Sequence, residues 1–513
     1  MRDLLLGIDV GTTAAKAVLF TLDGRLQAIG QADYPLATPF LNAAEQSPED
    51  WWQAVCRAIR QALTAVPDAA DRMIGLAISS QAPTLLPLDR NGQPLRPALI
   101  WMDRRADAQV EQLKQALGAE TIFAVTGNRA DSFFLAAKFR WFQQHEAHLL
   151  ARTHQFLQVN GYIAYRLTGV SSLDPAHAAL MGLQDRATGI WSRDLLALCG
   201  LDPAQFPPIS AGHQIIGEVT ATAALATGLR PGTWVMTGSI DGTAAALEAG
   251  AIAPGTAAEM TGTSTVLLMP NAQGITDPAL ISIPHVVPGQ HLLIGAAVAS
   301  GAALKWFRDT LGSEEVAAAS RPDRDVFDLL TEQAEVVAPG SGGVVFLPYL
   351  LGERSPLWLT EARGVFFGLT LATPRAALIR AILEGTSFAL RHNVETARAA
   401  GAELHELRSV GGGAKSALWC QIKADVLGVP VALPQAAGGA PFGAALLVAL
   451  GAGLIPDLAS MVRDTVRIER VFEPNIQRHA RYSDIYALYR DLSQHLRADF
   501  IRAAAVFGTE PHP

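Results

Sequence analysis

Four glycine-containing turns carry side chains that suit phosphate or hydroxyl chemistry. They read Asp9-Val10-Gly11-Thr12-Thr13, Ser239-Ile240-Asp241-Gly242-Thr243, Thr261-Gly262-Thr263-Ser264 and Gly411-Gly412-Gly413. Phosphate binding uses outward-facing backbone N–H groups, small side chains and hydroxyl donors, and the turns at residues 9–13 and 261–264 supply all three. A single Gly-Thr turn between strands is more often an ordinary hairpin. Four such turns on one chain are stronger evidence for a phosphate site.

Asp241 lies at the tip of the turn at residues 239–243. A carboxylate in this position can orient a hydroxyl group and accept its proton, which is general base catalysis. An Asp-Gly pair is also frequent in plain turns and helix caps, and from these residues alone that structural role is favoured.

Two familiar nucleotide motifs are not present in this sequence. The segment "GGGAKS" resembles a Walker A loop, but Ala414 precedes Lys415 where that motif requires glycine. No G-x-G-x-x-G segment is followed by a suitable acidic residue, which disfavours a Rossmann dehydrogenase.

The elements that must position these turns alternate between strands and helices. β-rich runs flank the first turn, and an amphipathic helix is predicted to begin near Ser47, with Trp51 and Trp52 in its core. A similar strand–turn–strand pattern surrounds residues 261–264. The repeated pattern predicts an α/β protein with two domains of related build.

Composition narrows the class of protein. The chain has 513 residues, of which 50% are hydrophobic, so more than one domain is expected. A net charge of -8 without a basic run disfavours nucleic-acid binding. Three dispersed cysteines indicate buried thiols in a reducing cytoplasm. The apolar stretch 440–456 is shorter than the ~20 residues of a membrane span and predicts a buried helix.

The whole chain resembles the FGGY carbohydrate kinases, which have the sugar kinase/Hsc70/actin (ribonuclease H-like) fold. The likeness is carried by eight segments in order, among them "GIDVGTTAAKAV", "EQSPEDWW", "IDGTAAALEAGAIAPGTAAEMTGTST" and "GGGAKSALWCQIKADVLGVPV". It implies two actin-like α/β domains with a central cleft: a mainly sugar-binding domain at 1–244 and a mainly ATP-binding domain at 245–513. Within the family, xylulokinases are most similar, and gluconate and glycerol kinases are somewhat further away.

The resemblance also implies a role for each turn. ATP and Mg²⁺ are the expected cofactors, a sugar or polyol is the expected partner, and a homodimer is common among relatives. Asp241 matches the catalytic base and Asp9 the metal-side carboxylate. The residues expected to meet ATP are Gly11, Thr12, Thr13, Lys16, Gly262, Thr263, Ser264, Gly301, Gly411, Gly412, Gly413 and Ser416.

The predicted sugar pocket departs from its relatives. The residues expected to contact substrate are Gln81, Ala82, Pro83, Trp101, Asp103, Asp241 and Gly242. Ala82-Pro83 replaces the Met-His pair of xylulokinases, and Gly242 replaces an Asn or Gln. Because hydroxyl selectivity comes from paired polar groups, these changes leave the acceptor open among xylulose, ribulose, gluconate, glycerol and larger polyols. A non-sugar ATPase of the same fold is a further alternative.

Overall fold

The computed structural model describes residues 2–319, 325–435 and 438–507, and strands alternate with helices along them. The strands are β1 (Leu4–Val10), β2 (Ala14–Thr21), β3 (Leu26–Asp33), β4 (Glu45–Gln46), β5 (Met73–Ser80), β6 (Leu86–Leu88), β7 (Ala98–Leu99), β8 (Gln155–Leu157), β9 (Ile215–Glu218), β10 (Trp234–Met236), β11 (Ser239–Ile240), β12 (Gly255–Thr261), β13 (Thr265–Asn271), β14 (Ile281–Pro284), β15 (His291–Ala297), β16 (Val345–Leu347), β17 (Val365–Phe367), β18 (Leu404–Gly411), β19 (Val431–Pro434) and β20 (Ile468–Phe472).

The helices complete the α/β pattern that the sequence predicts. They are α1 (Pro48–Thr64), α2 (Ala69–Arg72), α3 (Asp107–Leu117), α4 (Ala119–Thr126), α5 (Leu135–His145), α6 (Ala147–Leu150), α7 (Val159–Thr168), α8 (Pro175–Leu180), α9 (Arg193–Cys199), α10 (Ala221–Thr227), α11 (Asp241–Ala249), α12 (Gly301–Leu311), α13 (Ser313–Ala318), α14 (Val326–Glu335), α15 (Arg375–Ala399), α16 (Ala417–Leu427), α17 (Ala440–Gly451), α18 (Leu458–Thr465), α19 (Ile476–His495) and α20 (Arg497–Phe507).

The chain separates into two compact units, each assembled from several segments. Unit 1 comprises Met1–Ile252, Ala272–Leu292 and Ala436–Arg467, and unit 2 comprises Ala253–Asn271, Leu293–Gln435 and Ile468–Pro513. This division differs from the single boundary near residue 244 that the sequence suggested. The difference arises because α17, late in the chain, packs against β1 and β5 of unit 1.

The main sheet of unit 1 has the strand order β3-β2-β1-β5-β10-β9, with β11 also paired to β5. Strand β1 is antiparallel to β2 but parallel to β5, and β11 is parallel to β5 as well. Val10 pairs with Ser80, and Ser80 pairs with Ile240. The carboxyl ends of β1, β5 and β11 therefore meet at one edge of the sheet.

Helices cover this sheet on both faces. Leu4, Leu6 and Ile8 of β1 pack with residues of α1, while Leu5 packs with residues of α17 on the opposite face. Burial on both faces explains why β1 reads as a nearly continuous apolar run. Helix α1 begins where predicted, because the Ser47 side chain accepts a bond from the Asp50 N–H at 3.4 Å.

The late apolar stretch forms the buried helix that the sequence predicts. Nine residues of α17 are buried in unit 1. Its first turn lies so close to β1 that a Cβ atom on Gly7 would stand 1.8 Å from the Pro441 carbonyl oxygen. Among the described residues, no helix combines the length and apolar character required to cross a bilayer.

The sheet of unit 2 repeats the arrangement around β1. Within unit 2, the strands run in the order β15-β13-β12-β18-β19-β20, with β12 antiparallel to β13 and parallel to β18. The hairpin β12–β13 therefore corresponds to β1–β2, and β18 corresponds to β5. This correspondence agrees with the two domains of related build predicted from the sequence.

Candidate active site

The first turn, residues 11–13, joins β1 to β2 at the edge described above. The Gly11 N–H donates to the Ala14 carbonyl at 3.0 Å. Tyr34 contacts the turn twice: its hydroxyl donates to the Gly11 carbonyl, and its N–H donates to the Thr13 carbonyl at 3.1 Å. These bonds hold the backbone of the turn in place.

Gln46 connects the first turn to the predicted sugar pocket. Its side-chain amide donates to the Thr12 carbonyl at 2.6 Å, and its Oε1 accepts from Gln81 Nε2 at 2.7 Å and Trp51 Nε1 at 3.0 Å. An indole N–H can only donate, so Trp51 fixes which end of the Gln46 amide is the acceptor. Trp101 Nε1 donates to the Thr12 hydroxyl at 3.2 Å.

Residue patterns alone do not mark Gln46 as a functional residue. They predict Trp51 only as part of the helix core, where its side chain is indeed buried. Both residues belong to the segment "EQSPEDWW", which supported the family resemblance without suggesting a role in the site. The bonds of Gln46 to Thr12 and Gln81 span more than 30 residues of sequence, so no local pattern indicates them.

Asp9 is the half-buried carboxylate next to the first turn. Ser79 of β5 donates to its Oδ1 at 2.7 Å, and Oδ2 would lie 3.7 Å from a Cβ atom on Gly11. Lys16, also half-buried, is its partner across the β1–β2 ladder. Desolvation raises the pKa of Asp9, and the Ser79 bond and the Lys16 charge oppose that rise.

Asp241 is the first residue of α11 and directly follows β11. Its side chain is half-buried, and its Oδ1 accepts from the Gly242 N–H at 2.7 Å. Because Ile240 pairs with Ser80, Asp241 and Gln81 are the first residues beyond two paired parallel strands. The structure therefore brings Asp9, the first turn, Gln81 and Asp241 to one sheet edge, the usual location of ligand sites in α/β proteins.

The remaining predicted sugar contacts have different environments. Pro83 is buried, and Ala82 and Trp101 are half-buried. Asp103 is fully buried, accepts from the Ala44 N–H at 2.8 Å and pairs with Arg105, whose Nε lies 2.9 Å from Oδ2. These bonds give Asp103 a structural role in holding its loop, in addition to the sugar contact expected from the resemblance.

The turn at residues 261–264, called the second turn from here on, joins β12 to β13 and is exposed at Gly262 and Thr263. The Gly262 N–H donates to the Ser264 carbonyl at 2.9 Å, and the Thr263 carbonyl accepts from the Ala302 N–H at 2.9 Å. A Cβ atom on Gly301 would stand only 2.0 Å from the Gly262 carbonyl oxygen. Glycine at 301 thus allows the start of α12 to pack directly on this turn.

The triple glycine lies beside the second turn in unit 2. Gly411 pairs with Thr261 and has a φ of +84°, and a Cβ there would stand 2.8 Å from the Thr261 carbonyl oxygen. A Cβ on Gly413 would be 2.6 Å from Thr261 Cγ2. The Ser416 hydroxyl accepts from the Trp419 N–H at 3.3 Å, so it caps α16.

Each unit carries some of the predicted site residues. Unit 1 carries the first turn, Lys16, the predicted metal-side carboxylate, the predicted base and the predicted sugar pocket. Unit 2 carries the second turn, Gly301, the triple glycine and Ser416.

Comparison with known proteins identifies that family. Residues 4–248 match the N-terminal domain of the FGGY family of carbohydrate kinases, and residues 257–452 match its C-terminal domain. The chain belongs to this family. As an FGGY carbohydrate kinase, it uses the two-domain α/β architecture predicted from the sequence, and ATP is the phosphate donor that the family implies.

Relatives of this FGGY kinase cover almost its entire length. It is 30% identical to a xylulose kinase of Bacillus subtilis, over 96% of this chain and 97% of that protein. It is 29% identical to a gluconokinase of the same organism, over 98% of each. A solved xylulose kinase from Rhodospirillum rubrum superimposes with a TM-score of 0.87 and 31% identity, over 97% of this chain and 99% of that one.

Proposed function

We propose that this kinase transfers the γ-phosphoryl group of ATP to a hydroxyl of a sugar or polyol, with Asp241 as the general base. The observation that carries this proposal is the position of Asp241 beside Gln81, at the sheet edge that also holds the first turn. The Gly242 N–H bond orients one carboxylate oxygen of Asp241. A carboxylate held in this way can accept a proton from a bound hydroxyl.

The reaction requires few protein groups. The acceptor O–H proton moves to Asp241, the acceptor oxygen forms a bond to the γ-phosphorus, and the bond from that phosphorus to the bridging oxygen of ADP breaks. Because the transition state is loose, catalysis depends mainly on positioning and charge neutralisation. Gly11, Thr12, Thr13 and Lys16 are the proposed phosphate contacts in unit 1.

The nucleotide contacts of unit 2 are assigned in the same way. We assign Gly262, Thr263 and Ser264 to the phosphates, Gly301 to the wall of the site, and Gly411–Gly413 with Ser416 to the adenosine. The open space around Gly262 supports this assignment, because a phosphate group could approach its backbone. The helix-capping bond of Ser416 implies that this residue acts mainly by shaping the turn.

Asp9 fits a role as a Mg²⁺ ligand. Magnesium prefers carboxylate oxygens and retains several waters, so one protein carboxylate together with nucleotide phosphates is a sufficient ligand set. Among the residues that the structure describes, no group of three or more His, Cys, Asp or Glu side chains could hold a metal by itself. Bound Mg²⁺ would neutralise phosphate charge, while Ser79 keeps Asp9 oriented.

The acceptor that we favour is a pentulose, as the similarity to xylulose kinases suggests. Similarity to a gluconokinase supports gluconate as the second candidate. A panel of xylulose, ribulose, gluconate, glycerol and larger polyols, each assayed by ADP release, distinguishes them. Release that no member of the panel stimulates would support a non-sugar ATPase instead.

Replacement of the base tests the mechanism. Asp241→Asn keeps the shape of the side chain but removes the proton acceptor, so kcat should fall by about 10²–10⁴-fold while ADP affinity is retained. Asp457→Asn is the matched control, since Asp457 is the N-cap of another helix of unit 1, namely α18. Phosphorylation by Asp241→Asn at the wild-type rate would refute the assignment.

Two properties of the whole protein accompany this proposal. The buried free thiols Cys56, Cys199 and Cys420 are compatible with a reducing cytoplasm. The homodimer that the resemblance implies is tested by light scattering of the purified kinase across a range of concentrations.

A further inference from the structure

A buried ion pair lies beneath the second turn of unit 2. Lys423 of α16 donates to Glu259 Oε1 of β12, and their side chains are 2% and 0% exposed. Removing two charges from water is costly, and well-packed apolar residues are often at least as stable in such places. A gain in stability is therefore a weak explanation for this ion pair. The contacts of the pair suggest a different role.

The Glu259 carboxylate anchors the second turn through Thr261, which also bonds to Thr265. The Thr261 hydroxyl donates to Glu259 Oε2 at 2.6 Å, and the hydroxyls of Thr261 and Thr265 are 2.8 Å apart. A hydroxyl has one proton to donate, so Thr265 is the donor to Thr261. Thr261 and Thr265 directly precede and follow residues 262–264.

The same pair reaches the triple glycine. Ser409 of β18, which lies two residues before Gly411, donates to Glu259 Oε1. Lys423 belongs to α16, the helix that follows the triple glycine. The ion pair thus links β12, β18 and α16, which are the elements that carry the two predicted nucleotide turns of unit 2.

We propose that Glu259 and Lys423 are positioning residues for the nucleotide, because they hold the second turn and the triple glycine at the spacing at which both contact one ATP molecule. The inference rests on the proposed function, since it assumes that these turns bind ATP. Thr261 connects the ion pair to both turns. Glu259 accepts a hydrogen bond from the Thr261 hydroxyl, and the Thr261 backbone packs against Gly411.

Unit 2 contains a matched control. Arg380 and Glu384 form an ion pair that is equally buried, with side chains 5% and 2% exposed and a separation of 2.8 Å. This pair is bonded to Tyr482 and Ser341. Lys423→Met and Glu259→Gln should be compared with Arg380→Met and Glu384→Gln, because each substitution leaves one buried partner uncompensated.

The readout is the dissociation constant of Mg-ADP, measured by calorimetry without sugar. We expect it to rise about tenfold, equivalent to about 1.4 kcal/mol, in Lys423→Met and Glu259→Gln, and to change less than about twofold in the control variants. The melting temperature should fall in both pairs, and the KM for sugar should change little. Equal effects of the two pairs on ADP affinity would overturn the proposal.

A milder variant covers the case in which the charge variants do not fold. Ser409→Ala removes one donor to Glu259 but leaves the ion pair intact, and we expect a rise of about threefold in the dissociation constant. An unchanged constant in Ser409→Ala would then overturn the proposal. If the wild-type protein binds no ADP, the proposed function fails as well, whereas normal wild-type binding with unaffected variants refutes the positioning role alone.

Discussion

The substitution Gly262→Ala separates the folding of the second turn from its use. Gly262 is exposed, and a Cβ atom placed on it would meet no other atom within 4 Å. The folded chain therefore has room for the methyl group. We expect the free energy of unfolding to change by less than about 0.5 kcal/mol, as for other surface substitutions away from special features.

Binding of ATP should be far more sensitive to the same methyl group. If a phosphate approaches the Gly262 backbone, the methyl occupies part of its volume and breaks at least one hydrogen bond to a charged group. Such a bond contributes about 1.5–3 kcal/mol, so the KM for ATP should rise by about 10- to 100-fold. The KM for sugar should remain close to the wild-type value.

Gly301→Ala provides the contrast. Its Cβ would stand 2.0 Å from the Gly262 carbonyl oxygen, so backbone must shift, and we expect both the melting temperature and the ATP affinity to fall. ADP release at varied ATP, together with thermal unfolding of each variant, measures both effects. A KM for ATP within twofold of wild type in Gly262→Ala would refute the placement of phosphate at this turn.

Three further predictions concern the rest of the chain. Gln46→Leu removes the bond to the Thr12 carbonyl and the acceptor for the Gln81 amide. The kcat/KM for both substrates, measured from initial rates, should therefore fall about tenfold. Gly7→Ala should lower the melting temperature by several degrees in a thermal scan, because its Cβ would overlap Pro441; an unchanged value would contradict the packing of α17. Desolvation raises the pKa of Glu353 to about 8. Because its folded-state pKa exceeds the unfolded value, Glu353 contributes stability that is lost as pH rises from about 4.5 to 8. The Glu353→Gln variant should therefore show a smaller decline in melting temperature over that range than the wild type. An equal decline in the two proteins would refute the raised pKa.

Much of the local structure could be predicted from residue patterns. The strands around the first and second turns, the start of α1 at Ser47 and the buried helix after Ala440 all appear where they were expected. Strand periodicity, capping residues and turn chemistry act over a few neighbours, so the sequence displays them directly. The comparisons confirm the FGGY family, which had been inferred from ordered motifs.

Long-range packing was not predictable in the same way. The segment Ala436–Arg467 belongs to unit 1 because α17 covers a face of a sheet that begins more than 400 residues earlier. The bonds of Gln46 to Thr12 and Gln81, and of Lys423 to Glu259, likewise join residues far apart in sequence. No local pattern specifies such partners.

The sequence by itself determined which residues can do chemistry. It supplied the turns, the carboxylates Asp9 and Asp241, and the kinase family. Only the tertiary structure decided which of them meet, because parallel pairing of β1, β5 and β11 is what brings their carboxyl ends to one edge. It also decided that Asp103 and Ser416 have structural bonds, since burial and hydrogen bonding depend on neighbours that become adjacent only after folding.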